Sequence, residues 1–544
     1  MKQENLARRA AVLGLPMAVA FAAMVALGAG KPSPDNSAEP DVFSGKFFKS
    51  DETVTQGTVD GITYQATAGT LVVHPEDWND AAQNGGSKNP DAKPDESSPE
   101  ASMFFVYYAK RGASPEGRPI TFLYNGGPGS STVWLHMGAF GPKRVVTADD
   151  THTAAAPYQI VDNNATLLDA TDLVFIDAPG TGFSRIAGKE KEKAFFGVDQ
   201  DAKAFANFIQ EFLAKYNRWN SPKYLFGESY GTPRSAVIAN NLVTNDSIDL
   251  NGVILLSQIL NFDLSVDGAE SNPGTDIPYE LALPTYAATA WYHHKLPGTQ
   301  PKDLATFVHS VERFAMADYA QALSAGIGLP PQRRAAVAEK LHEVTGLPVS
   351  YILKANLRIE GGEFEKNLQD ANGLTTGRLD TRFSGPSLDP LSKEADYDPQ
   401  SAAISSAYVS GFNAYVRNDL NYGQGKRYLP FFNVFKWWDF KHQQPGQSFA
   451  SPGTPNVLPD LASAMKQNPN LRVMVNGGYY DLATPYYEGW YEMHHLPIPP
   501  ALAKNISYRY YPSGHMVYAH QQSLKELHDA VAAFIRQTDN QVRS

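Results

Sequence analysis

The chain has 544 residues, 42% of them hydrophobic and 19% charged, which is ordinary for a globular enzyme. That length holds one large α/β domain with an insertion, or a few smaller domains. The formal net charge is −11 and cysteine is absent, so disulfides, thiol catalysis and Cys-built zinc or iron–sulfur sites are excluded. An acidic surface also argues against nucleic acid and anionic membrane as main partners.

The first predicted element, residues 1–30, is a targeting segment. Lys2, Arg8 and Arg9 form a positive n-region, and Ala10 to Ala29 is apolar apart from a break at Pro16. Gly28 and Gly30 suit a signal-peptidase site with a mature start near Lys31. The rival reading is an uncleaved N-terminal anchor, because ~20 apolar residues can span a bilayer. The Arg8-Arg9 pair hints at twin-arginine export. Either reading places the catalytic part outside the cytoplasm, periplasmic or extracellular. Loss of the segment (Lys2, Arg8 and Arg9 against Glu4) would leave −13 on the mature chain. Residues 31–45, rich in Pro, Ser and Asp, read as a flexible tether. Over 46–118 the alternating runs Thr53 to Val59, Ile62 to Val73 and Met103 to Tyr108 predict an N-terminal β-meander, interrupted by a mobile loop at 81–99.

From residue 119 the pattern changes to short apolar runs followed by helices. Ile120–Tyr124, Leu173–Ile176, Tyr224–Phe226, Gly252–Leu256, Leu471–Val475 and Ile506–Tyr511 read as buried strands. Phe205, Phe208, Ile209 and Phe212 make one helical stripe, and Leu524, Leu527, Val531, Phe534 and Ile535 make another. Strand and helix in alternation predict a mainly parallel central sheet with helices on both faces. The rhythm stops between 263 and 458, where helix-like stretches (302–324, 331–344) and Pro-Gly breaks predict an inserted helical lid or cap. Residues 119–262 and 459–544 then form the catalytic core.

Gly227-Glu228-Ser229-Tyr230-Gly231 is the only G-x-S-x-G in the chain. It follows a hydrophobic strand and precedes a helix opened by Thr232-Pro233, the context of a strained nucleophile elbow. A serine hydroxyl needs a base, and the base needs an orienting acid. In an α/β-hydrolase fold these follow in the order Ser, Asp, His, on loops after later strands. Asp481 follows Leu471–Val475 and Asn476-Gly477-Gly478-Tyr479-Tyr480; His515 follows Ile506–Tyr511 and Pro512-Ser513-Gly514. Read singly, Asp481 could be a helix-capping carboxylate and His515 a turn histidine. Their shared order and placement favour catalysis. The loop Asn125-Gly126-Gly127-Pro128-Gly129-Ser130-Ser131 follows an early strand, where side-chain-free N–H groups can meet a developing oxyanion.

N-G-G-P-G-S-S, the D-A-P-G-T-G-F-S run at Asp177–Ser184, G-E-S-Y-G, N-G-G-Y-Y-D at 476–481 and G-H-M-V at 514–517 stand in one order. Together they resemble the serine carboxypeptidase family (peptidase family S10), in a bacterial-type form. The resemblance implies that Ser229 attacks the scissile carbonyl, His515 relays the proton and Asp481 orients the imidazole. It implies an oxyanion hole from the N–H groups of Gly127 and Tyr230. It further implies that Asn125, Gly126 and Glu228 hold the free C-terminal carboxylate of a peptide substrate. No cofactor or metal is expected, no nucleic acid, and no membrane contact beyond a possible anchor; oligomeric state is open.

The sequence departs from the family pattern in three places. The second carboxyl residue, about fourteen positions after the Asn, is Ala139 here. The elbow continues Thr232-Pro233-Arg234, and the histidine motif runs Met516-Val517-Tyr518-Ala519 without the usual Pro and Asp. Arg185 or Arg234 could supply carboxylate recognition through a bidentate pair, or could sit in a structural salt bridge. Trp437-Trp438 and the tyrosine-rich run 479–491 could line a pocket or pack in the core. An esterase or acyltransferase on the same scaffold is the alternative activity, because it needs the same three residues; a non-catalytic binding protein is a more distant one.

Overall fold

In a computed structural model, residues 43–44, 47–76, 78–79, 84–85 and 98–540 are described. The targeting segment 1–30, nearly all of the tether and most of the loop 81–99 lie outside them. The centre is one ten-stranded sheet. Its strands in chain order are β1 (Glu52–Val59), β2 (Ile62–Val73), β3 (Glu100–Lys110), β4 (Ile120–Tyr124) and β5 (Asp172–Ile176). They continue with β6 (Arg185–Ala187), β7 (Lys223–Glu228), β8 (Gly252–Leu256), β9 (Arg472–Gly478) and β10 (Ile506–Tyr511). Across the sheet the order is β10-β9-β8-β7-β4-β5-β3-β2-β1, with β6 also paired to β3. From β10 to β5 every pairing is parallel. The expected N-terminal meander, β1 to β3, continues the same sheet as an antiparallel flank.

The inner parallel strands are mostly apolar runs because both of their faces are covered, whereas the edge strand β10 is half exposed. Side chains alternate across the sheet, so one strand feeds two cores. Phe122, Tyr124, Leu225, Val253 and Leu255 face one core with helix α1 (Val198–Lys215), which contributes Phe205, Phe208, Ile209 and Phe212. Leu123, Phe226, Ile254 and Leu256 face the other, closed by Leu524, Leu527, Val531 and Ile535 of the C-terminal helix, Gln521–Thr538. Helix α2 (Gly231–Thr244) follows the elbow and joins the first core.

Between β8 and β9 the chain packs in two ways. Helices α3 (Ile277–Tyr292), α4 (Leu304–Phe314) and α5 (Pro331–Thr345) share a separate apolar cluster with Tyr286, Leu341 and Phe364. The expected helix over 302–324 is present but interrupted by a π-helical turn at Ala315–Tyr319. Helix α6 (Pro399–Asn418) instead puts Ile404, Ala407, Tyr408, Phe412, Tyr415 and Val416 into the second core of the sheet. Isolated bridges then tie Leu429 to Gly182, Phe431 to Ser130 and Asp439 to Gly197.

Candidate active site

The loops after β4, β7, β9 and β10 all emerge at the C-terminal edge of the parallel strands, where open α/β sheets bind their ligands. The loop after β7 carries Ser229 at φ 59°, the left-handed conformation that a side chain adopts only under constraint. The turn is held from both sides. Ser229 N donates to Leu256 O at 3.0 Å, and Thr232 N and Oγ1 donate to Ser229 O at 2.8 and 2.7 Å. The Ser229 side chain is partly exposed and makes no hydrogen bond among the described residues.

His515 and Asp481 meet at 2.9 Å, Nδ1 to Oδ2. An ionised carboxylate can only accept, so Nδ1 carries the proton and Nε2 keeps its lone pair. Asp481 is fully buried and receives the N–H groups of Ala483 and Thr484 on Oδ1, each at 3.0 Å. Thr484 Oγ1 donates to Oδ2 at 2.7 Å and lies 3.2 Å from His515 Nδ1. Burial disfavours the imidazolium, but the Asp481 carboxylate outweighs it and holds the His515 pKa above its ordinary value.

Both loops are backed by residues 377–383, from the segment between β8 and β9. Gly514 N donates to Asp380 Oδ2 at 3.1 Å, His515 N to Leu379 O at 2.6 Å, and Leu482 N to Arg378 O at 3.1 Å. Asp380 is in turn neutralised by Arg382, Nη2 to Oδ2 at 2.6 Å. No motif in the sequence marks these supports, nor Thr484.

The loop after β4 lies against the elbow. A Cβ on Gly126 would come within 2.3 Å of Tyr230 N, so only glycine permits the approach. The N–H groups of Gly127 and Tyr230 make no hydrogen bond among the described residues and are available to an oxyanion. Asn125 Oδ1 accepts from Leu135 N at 3.0 Å, which fixes the amide. Asp177 supports this loop from behind, accepting Thr132 N at 2.8 Å. Gly182 is required there because a Cβ would strike the Asp177 carboxylate.

Glu228 is buried beside the elbow. Tyr518 OH donates to its Oε1 at 3.1 Å, and Oε2 is buried without a partner among the described residues. Burial pushes its pKa up to about 7, against the opposing pull of His515 and of hydrogen bonds from Tyr518 and Asn125. Ala139 lies in the buried turn Leu135–Phe140 and brings no carboxyl group. Tyr518, which nothing in the sequence singled out, is instead the group that touches Glu228.

The two arginines have other partners. Arg234 is buried, with Nε 2.6 Å from Asp201 Oδ2 and Nη1 donating to Asn125 O at 2.7 Å. Its guanidinium lies 4.4 Å from the Phe205 ring and 5.4 Å from those of Tyr124 and Tyr230. Arg185 donates from Nη1 to the carbonyls of Gly182 and Ser184 and from Nη2 to Arg427 O. Both hold loops in place. Trp438 packs edge-on to Tyr230 at 5.2 Å between ring centres, while Trp437 is exposed.

A doubly covered, mainly parallel sheet with a nucleophile elbow and an Asp–His pair on later loops defines an α/β-hydrolase. The crystal structure of Kex1(Δ)p, a prohormone-processing carboxypeptidase from Saccharomyces cerevisiae, shares this fold. Its TM-score is 0.52 and its identity 15%, over 87% of this chain and 91% of that one. Residues 94–296 match the sequence profile of serine carboxypeptidases. The pheromone-processing carboxypeptidase kex1 of Schizosaccharomyces japonicus is 27% identical over 158 residues, 29% of this chain and 28% of that protein. Serine carboxypeptidase-like 33 of Arabidopsis thaliana is 30% identical over 168 residues, 28% of this chain and 32% of that protein. The chain thus spans about a third or less of the curated relatives it matches. Its similarity to the serine carboxypeptidase family lies over residues 94–296.

Proposed function

We propose that the protein is a serine carboxypeptidase that removes residues from peptide C-termini through an acyl-enzyme. Ser229 Oγ attacks the scissile carbonyl carbon while His515 Nε2 takes its proton, and Asp481 stabilises the imidazolium. The N–H groups of Gly127 and Tyr230 stabilise the oxyanion. His515 gives the proton to the leaving amine as the C–N bond breaks, then activates the water that releases the acyl group. Asn125, Gly126 and Glu228 hold the substrate's terminal carboxylate. This chemistry needs no cofactor.

The reading rests on Glu228. Below about pH 7 it is a neutral acid beside the nucleophile, able to donate a hydrogen bond to a carboxylate. The test is mass spectrometry of peptides with free or amidated C-termini at about pH 5 and about pH 7.5, bracketing that titration. Stepwise loss from the free set alone is expected. Equal cleavage of both sets, or ester turnover without peptide cleavage, would assign the triad to another acyl-transfer reaction.

We also infer that the catalytic part works outside the cytoplasm. The support is the charge and apolar pattern of residues 1–30. Among the described residues no helix is long and apolar enough to cross a membrane. Cell fractionation with N-terminal sequencing tests export and separates cleavage near Lys31 from a retained anchor.

A further inference from the structure

A cavity of about 540 Å³ lies near Glu228, with Gly138, Arg144, Thr147, Tyr408, Tyr518 and His520 in its wall. Tyr518 forms part of that wall and also donates to Glu228 Oε1. Tyr518 therefore links the cavity to the group proposed to bind the terminal carboxylate, one side chain away. In a peptide the side chain of the last residue branches from the carbon that bears this carboxylate, so it is the part of the substrate nearest to the space.

The charges around the cavity differ in what they already hold. Lys525 pairs with Asp529 at 2.6 Å, and His520 Nδ1 lies 2.7 Å from Ser523 Oγ. Asp149 stands 3.7 Å from both Arg382 and His520. Arg144, on the short strand Lys143–Val145, is partly buried, and its guanidinium has neither hydrogen-bond nor ion-pair partner among the described residues. A half-desolvated guanidinium without an anion is an incomplete site for a carboxylate, which it can grip through two parallel N–H bonds.

We propose that this cavity receives the side chain of the substrate's C-terminal residue and that Arg144 makes acidic side chains the preferred ones. The inference rests on the carboxypeptidase reading and adds a specificity to it. Three peptides identical except for a last residue of Glu, Gln or Lys test it through kcat/KM. The wild-type protein is expected to favour Glu over Gln by about tenfold, the scale of one charge-assisted pair. Arg144→Gln is expected to bring that ratio to about one. Arg144→Glu is expected to move the preference to the Lys peptide. Circular dichroism and the thermal midpoint establish that each variant is folded.

Peptide cleavage without Glu/Gln discrimination in the wild-type protein would overturn this inference and leave the carboxypeptidase reading standing. An equal loss of all three substrates in folded Arg144→Gln would also overturn it, because Arg144 would then serve the main-chain carboxylate. Failure to cleave any free-carboxyl peptide would remove both readings together.

Discussion

Under the proposed mechanism, Glu228 and His515 impose opposite demands on pH. Glu228 must keep its proton to meet a carboxylate, and it loses it as pH rises through about 7. His515 must be neutral to act as base, and Asp481 holds its pKa above the ordinary value, so the base is lost as pH falls. For free-carboxyl peptides kcat/KM is therefore expected to be bell-shaped, with flanks that belong to the interacting pair. An ester substrate without a carboxylate should keep only the acid limb. Glu228→Gln, a donor at every pH, is expected to abolish the alkaline rise in KM, read as KM against pH for one peptide. Ser229, Asp481 and His515 stood out as candidates because each stands in a short Gly-bearing loop directly after an apolar run. Thr484 and Tyr518 were not. A hydroxyl three residues past a catalytic loop looks in sequence like any surface threonine or core tyrosine, and Ala139 shows only that a carboxyl group is missing.

At the scale of elements, two buried ionic contacts join separate parts of the chain. Arg234 joins α2 to Asp201 of α1 and to the carbonyl of Asn125, with aromatic rings around its plane. Lysine can reproduce neither the fork nor the stacking. Arg234→Lys is expected to cost about 3 kcal/mol in denaturant unfolding, the scale of breaking a buried pair, and to lower kcat by shifting Asn125. His442 lies between Asp199 and Asp460, at 2.5 and 2.8 Å, and ties residues 439–451 to helix α1 and to Leu458–Gln467. Burial opposes its charge, but the two carboxylates push its pKa up to about 9. A folded-state pKa above the unfolded one contributes stability fully below about 6.5 and loses it as pH rises through about 9. The thermal midpoint of wild type over His442→Gln should therefore be highest in acid and neutral solution and converge above pH 9. Strands such as Ile120–Tyr124 and Gly252–Leu256 were readable end to end, because a parallel strand buried on both faces is a largely unbroken apolar run; Ile506–Tyr511, expected as a buried strand, is instead a half-exposed edge strand. Strand β9 runs on to Gly478 beyond its apolar stretch, since Asn476–Gly478 pair with Arg509–Tyr511 and Tyr511 OH also donates to Asn476 Oδ1 at 3.1 Å.

For the whole molecule, alternation of strand and helix was enough to predict an α/β sheet covered on both faces. The packing of α6 was not readable. Its sequence, PQSAAISSAYVSGFNAYVRN, is rich in small and polar residues, yet seven of its apolar side chains complete a core of the sheet. Emptying even three such positions at about 2–5 kcal/mol each rivals the whole stability of a domain. A chain lacking 399–456 is expected to yield no cooperative unfolding transition and no fluorophosphonate labelling of Ser229. The strand order carries a consequence for biosynthesis. The proposed nucleophile is made first, just after β7, but its proposed acid partner follows more than two hundred residues later on the loop after β9, and the proposed base later still, after β10. Those strands complete the sheet only by pairing across that long separation, which is slow and comes late in folding. On the proposed mechanism a ribosome-bound chain thus holds a serine with no base, and activity arrives with the last strand.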